Sequence, residues 1–280
     1  MKKIFLVSFF FLITVFSLSL EGISQPVSNR WALLIAIGNY PEPAGVASIK
    51  YAMEDADAMQ KMFIEHWSVP SQNIMNIRNE QATLENIKKT ISELSARVNE
   101  QDYLFIYVRA HGEENFPDFN GDEKYGADSC FIPYDCQWKY PKTYITDDKF
   151  TVWLRDMRGK IVLIMDFTGG YGIVDFHTIK ELEGRTLILS IGGPRLEPYE
   201  DELKQHSFMV YKFIEEERDL YEEYLDNIRN DPEEAQNLTL DIILEKVKKE
   251  VNSSLEGTGY RGECVIEGKL EPKSIFILKK

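Results

Sequence analysis

Cysteine is scarce in this chain: three residues in 280, at positions 130, 136 and 264. An odd count excludes complete internal pairing in a monomer, although Cys130 and Cys136 are spaced to close a short loop. None lies near the end of the N-terminal apolar run, which argues against a lipid-modified N-terminus. Positive charge is also short, with 32 Lys and Arg against 46 Asp and Glu and a net charge of −14. Such a surface is a poor match for nucleic acid or anionic membrane. No strand-like run is followed by G-x-G-x-x-G or G-x-x-x-x-G-K-[ST], which disfavours a nucleotide-binding doubly wound domain. Internal repeats are absent, and the only biased tract is EEERDLYEEYLDNIRNDPEE, Glu215 to Glu234, which reads as a solvated acidic helix face within a segment of about 208–235.

Hydrophobic residues make up 44% of the chain, enough for a full core in one domain. Residues 1–24 differ from the rest. Lys2 and Lys3 precede an apolar run from Ile4 to Leu20, and small residues follow at Gly22 and Ser24. That is the order of a secretory signal peptide, cleaved after Ser24, and it predicts a secreted or periplasmic protein with no membrane attachment once cleaved. The alternative is a single membrane anchor, since the run approaches the ~20 apolar residues that span a bilayer. With Lys2, Lys3 and Glu21 removed, 30 basic and 45 acidic residues remain, a formal charge of −15.

Five short apolar runs read as strands: ALLIAIG from Ala32, YLFIYVR from Tyr103, KIVLIMD from Lys160, TLILSIG from Thr186 and SIFILK from Ser274. Continuous rather than alternating runs suit strands covered on both faces. Helical spacing joins Ala52, Ala56, Met59 and Phe63, and again Leu84, Ile87, Ile91, Leu94 and Val98, with Thr83 placed as N-cap. A long helix carries Tyr211, Ile214, Tyr221, Leu225 and Ile228, and another starts after Asp241. Strands alternating with helices predict an α/β domain with a mainly parallel sheet and helices on both faces, occupying 30–280. Glu113 to Asp148 reads as a long ordered loop after the second strand, and loops of that length are usually functional.

Ligand sites of open α/β sheets lie beyond the carboxyl ends of the strands. One strand runs out as Arg109-Ala110-His111-Gly112 and another as Asp166-Phe167-Thr168-Gly169-Gly170. If these strands are neighbours, His111 is a base facing Thr168, and the amides of Gly112 and Thr168 can cradle an oxyanion, the layout of acyl transfer. A lone histidine before a glycine is also an ordinary structural feature.

Order and spacing add to this. ALLIAIGNY, YAMEDADAMQKMF, NEQATLENIKKTISEL, IYVRAHG, CFIPYD, IVLIMDFTGG and HSFMVYKFIEE succeed one another in a sequence that resembles the caspase-like peptidases, in particular the metacaspase and bacterial caspase-domain branch. The resemblance runs from about Arg30 to the C-terminus and implies a caspase-like three-layer fold with no cofactor. Its departure falls on the chemistry. The family pattern is Asp-x-Cys-His-Ser-Gly or a close variant, and this chain has Thr168 where that pattern has the nucleophilic cysteine. Ala110 also stands where Gly or Ser is usual.

A threonine hydroxyl inside a chain lacks the N-terminal amine that serves as base in threonine peptidases. The resemblance therefore implies a catalytically impaired pseudopeptidase, with an endopeptidase using an atypical nucleophile as the alternative. Cys130 is a candidate displaced thiol. Asp55 and Asp175 match the positions where metacaspases hold Arg or Lys, so a basic peptide or a protein partner is the expected ligand. Read without the resemblance, Asp55 is a carboxylate beside a helix dipole and Asp175 a solvated loop residue. Asp118, Asn120, Asp122 and Asp128 suggest calcium, which some metacaspases need, but Glu123 and Ser129 break the EF-hand pattern.

Overall fold

The computed structural model describes residues 28–42, 45–118, 121, 127–137, 140–167, 170, 182, 185–192, 200–256, 263–268, 270–271 and 275–278. Residues 1–24, Asn120, Asp122, Thr168, Gly169 and Asp175 lie outside these, so the expected signal peptide, two of the calcium candidates, the position expected to hold the nucleophile and one of the two expected pocket carboxylates have no structural account.

The chain enters through β1 (Arg30–Ala36), α1 (Ala52–Glu65), β2 (Ile74–Arg78), α2 (Leu84–Arg97) and β3 (Tyr103–Arg109). Three short strands follow, β4 (Gly112–Pro117), β5 (Ala127–Phe131) and β6 (Ile145–Thr146), then α3 (Asp147–Leu154), β7 (Lys160–Asp166) and β8 (Thr186–Gly192). The last part comprises β9 (Glu200–Asp201), β10 (His206–Ser207), α4 (Phe208–Asn230), β11 (Leu238–Thr239), α5 (Leu240–Leu255), β12 (Glu263–Gly268) and β13 (Phe276–Leu278).

Among the described residues, six strands form the main sheet in the order β12-β8-β7-β3-β1-β2. All pair in parallel except β12, which runs antiparallel at one edge. Side chains alternate between the faces of a strand, and the core divides accordingly. Ala32, Leu34, Phe105, Tyr107, Val162 and Ile164 pack on one face with α1, α4 and α5. Leu33, Ile35, Leu104, Ile106 and Leu163 pack on the other with α2 and α3. This is the three-layer α/β arrangement expected from the runs.

Local chemistry accounts for the helix starts. Thr83 accepts a hydrogen bond from the Asn86 amide, Thr146 from Lys149 and Ser207 from Val210, each satisfying an amide that the first helical turn leaves without a partner. The differences from expectation are specific. β2 and β12 are edge strands with polar or half-exposed positions, so their sequences lack the continuous apolar signature. The run at Ser274 yields β13, which pairs with β11 in a separate two-stranded sheet rather than joining the main one. The segment predicted as a long loop contains the antiparallel sheet β4-β5-β6 and the first residues of α3.

Candidate functional site

β3 and β7 are neighbours, as the acyl-transfer layout required, and their register sets Arg109 opposite Asp166. Position 111 lies two residues beyond the first and position 168 two beyond the second.

His111 is held firmly. Its amide donates to Tyr40 Oη at 3.0 Å, Tyr40 Oη donates to the Ile132 carbonyl at 3.0 Å, and the Ile132 amide donates to the His111 carbonyl at 2.9 Å. The Tyr40 ring leans on the imidazole with centroids 5.5 Å apart. Nε2 lies 2.8 Å from the Ala47 carbonyl oxygen. A carbonyl only accepts, so Nε2 carries the hydrogen, and in the neutral ring Nδ1 is then the basic nitrogen. Gly112 opens β4 opposite Phe131 of β5.

Two residues before His111, Arg109 centres a buried ionic cluster whose members are far apart in sequence. The side chain of Arg109 is 1% exposed and that of Asp55 is 0% exposed. Each guanidinium nitrogen takes a different acceptor: Nε donates to Asp55 at 3.1 Å, Nη1 to the Asp166 carbonyl at 3.4 Å and Nη2 to Glu200 at 3.2 Å. Asp55 also accepts from the Ser207 amide at 3.0 Å and lies 2.9 Å from His206 Nδ1. Asp166 Oδ2 accepts from Ser207 Oγ at 2.6 Å and Tyr107 Oη at 3.2 Å. Its Oδ1 has no hydrogen-bond partner among the described residues. Buried charges must be paired, and four separate pieces of chain supply the pairing here: α1, β3, β7 and the β9–β10 hairpin.

Electrostatics follow from this burial. Loss of solvent, first, and the nearby Asp55 push the Asp166 carboxyl up to about 6 against the opposing pull of Arg109. Burial alone would lower Arg109, and Asp166, Tyr107, Asp55 and Glu200 more than offset it, so the guanidinium stays charged. Tyr107 is raised well above its ordinary value, mainly by burial.

None of the three cysteines is in a disulfide, and all are buried. Cys130 sits on β5 opposite Glu113 and packs with Phe116, Ile132 and Cys136 in a small outer core. Burial pushes its thiol up to about 12 and that of Cys136 up to about 11, the reverse of what a nucleophilic cysteine needs. Of the calcium candidates, Asp128 is buried on β5 and Asp118 follows β4. Among the described residues, no group of three or more His, Cys, Asp or Glu side chains is placed to hold a metal ion.

Arg109 was visible in the sequence as a misfit, a charge closing an apolar strand. Its partner Glu200, and Ser207, which bonds to Asp55 and Asp166, were not, since nothing local marks them.

A family profile for the caspase domain matches residues 29–269. Metacaspase-4 of Arabidopsis thaliana is 26% identical over 158 residues, which cover 52% of this chain but 35% of that protein. A crystal structure of a Geobacter sulfurreducens protein superposes with a TM-score of 0.54 at 13% identity, covering 90% of this chain and 97% of that one, a likeness of fold alone.

Proposed function

The chain belongs to the caspase-domain family, and from that premise we propose that it is an exported pseudopeptidase that acts by binding a protein partner rather than by cutting one. The observation that carries the reading is Thr168, two residues past the end of β7, where the resembled pattern has its nucleophilic cysteine. One feature of the described site supports it: Cys130 and Cys136 are buried, which holds their thiols protonated at neutral pH. A hydroxyl without a base matched to it is a weak nucleophile.

Binding of a basic peptide through Asp55 and Asp175, the narrower expectation, is not part of this proposal. A basic side chain approaching Asp55 meets Arg109 already bonded there, so that mode requires Arg109 to withdraw. Partner recognition through the outer surface has no such requirement.

Turnover is tested by incubating wild type and His111→Ala with a diverse peptide library and sequencing new termini by mass spectrometry. The expected result is the same background in both. Cleavage by wild type that disappears in His111→Ala establishes the endopeptidase alternative. Export is tested on protein recovered from the native cell envelope or medium, which should begin near Gln25. Soluble cytoplasmic protein with Met1 intact contradicts it.

A further inference from the structure

A pocket meant for a basic side chain should present carboxylates to solvent, and this one presents them to its own arginine. We infer that Arg109 is a built-in occupant of a cation pocket lined by Asp55, Asp166 and Glu200, and that it sets specificity by excluding Arg and Lys side chains from outside. The inference rests on the reading of this end of the sheet as the ligand site, but not on the absence of cleavage.

Three observations carry it. The first is the manner of binding. Nε, Nη1 and Nη2 each meet a separate acceptor, which is how a captured guanidinium is held when planar, directional recognition is required. The second is the balance of charge. One guanidinium faces three carboxylates, Asp55, Asp166 and Glu200, and Asp166 Oδ1 has no hydrogen-bond partner among the described residues. Even with His206 Nδ1 2.9 Å from Asp55, the carboxylates of the cluster outnumber its cationic groups, as they do in a cation-binding site. The third is the route out. Glu200, His206 and Ser207 come from the β9–β10 hairpin, and the Glu200 side chain is 25% exposed while Asp55 and Asp166 are sealed. Glu200 also accepts from the Tyr51 amide at 3.1 Å, and Glu202 accepts from Tyr51 Oη at 2.6 Å and from Lys50. The hairpin is thus pinned over the start of α1 by contacts that do not involve Arg109. Removing the Arg109 side chain leaves these contacts in place and vacates a slot of guanidinium shape beneath a solvent-touching carboxylate.

The experiment uses the full mature chain and blocked arginine amide as probe, with blocked lysine amide and the uncharged isostere blocked citrulline amide as comparisons. Isothermal titration should detect no blocked arginine binding to wild type. Arg109→Ser should bind it at least tenfold more tightly than wild type, in preference to lysine, and should not bind citrulline. Adding Asp55→Asn to Arg109→Ser should reverse the gain by tenfold or more. Arg109→Lys keeps a cation in the slot and should gain nothing. A folded Arg109→Ser that binds neither blocked arginine nor ethylguanidinium overturns the inference, as does wild type that binds blocked arginine as well as the variant does. If Arg109→Ser does not fold, its refolding yield is measured in millimolar ethylguanidinium against ethylammonium. Selective rescue by the guanidinium supports the inference, and rescue by neither overturns it. No arm reads hydrolysis, so the inference and the pseudopeptidase reading fail by different results.

Discussion

Asp166 is an aspartate whose environment weakens its preference for charge. It is fully buried, Asp55 is close, and its carboxyl is pushed up to about 6 from an ordinary value near 3.8. Between these two pH values the folded protein holds a proton that the unfolded chain has released. Stability therefore falls as pH rises from about 4 to about 6, by roughly 1–3 kcal/mol. Urea denaturation of wild type and Asp166→Asn across that range tests this. The stability difference, wild type minus variant, should decline with rising pH, and a flat difference would place the titrating proton elsewhere. At this scale the sequence was partly legible. His111 drew attention because a histidine ending an apolar strand is conspicuous, and the pairing of β3 with β7 shows that the two strands are neighbours. The cluster around Arg109 was not found, because Asp55 and Glu200 lie 54 and 91 residues from it and meet it only through the fold.

Helices α1 and α4 are joined by a polar clamp in an otherwise apolar layer. His66, capping the end of α1, places Nδ1 2.7 Å from Glu217 of α4, and Trp67 Nε1 donates to the same carboxylate at 3.2 Å. The imidazole stacks on Tyr221 with centroids 4.2 Å apart and planes 7° from parallel. The hydrogen bond to Glu217, first, and its charge raise His66 above 6.5 against the cost of burial. A raised imidazole stabilises fully below the unfolded value and ceases to do so as pH rises through the folded one. His66→Gln should therefore be less stable than wild type at pH 5 by about 1 kcal/mol, and the gap should narrow above pH 7, as read from thermal midpoints. A gap independent of pH would assign His66 a packing role alone. Elements were legible in proportion to their burial: β1, β3 and β7 are covered on both faces and announce themselves as apolar runs. β2 and β12 form the edges, where polar residues dilute the pattern, and β4 to β6 are too short and irregular to show a period.

The whole molecule is a caspase-fold sheet whose carboxyl edge holds an oriented imidazole and a largely buried cluster of one arginine and three carboxylates, under a net charge of −14. Fold class was readable from strand and helix order because a parallel sheet between two helical layers leaves few other topologies. Function was readable only as far as the residue types at the strand tips reach. The account turns on one claim, that no nucleophile of this chain is activated by His111. Its most direct test is the intact mass of wild-type protein after exposure at neutral pH to peptidyl acyloxymethyl ketones bearing basic and neutral side chains. The account predicts an unmodified mass, with Thr168 and all three cysteines unlabelled. A stoichiometric single adduct that is lost in His111→Ala would contradict it.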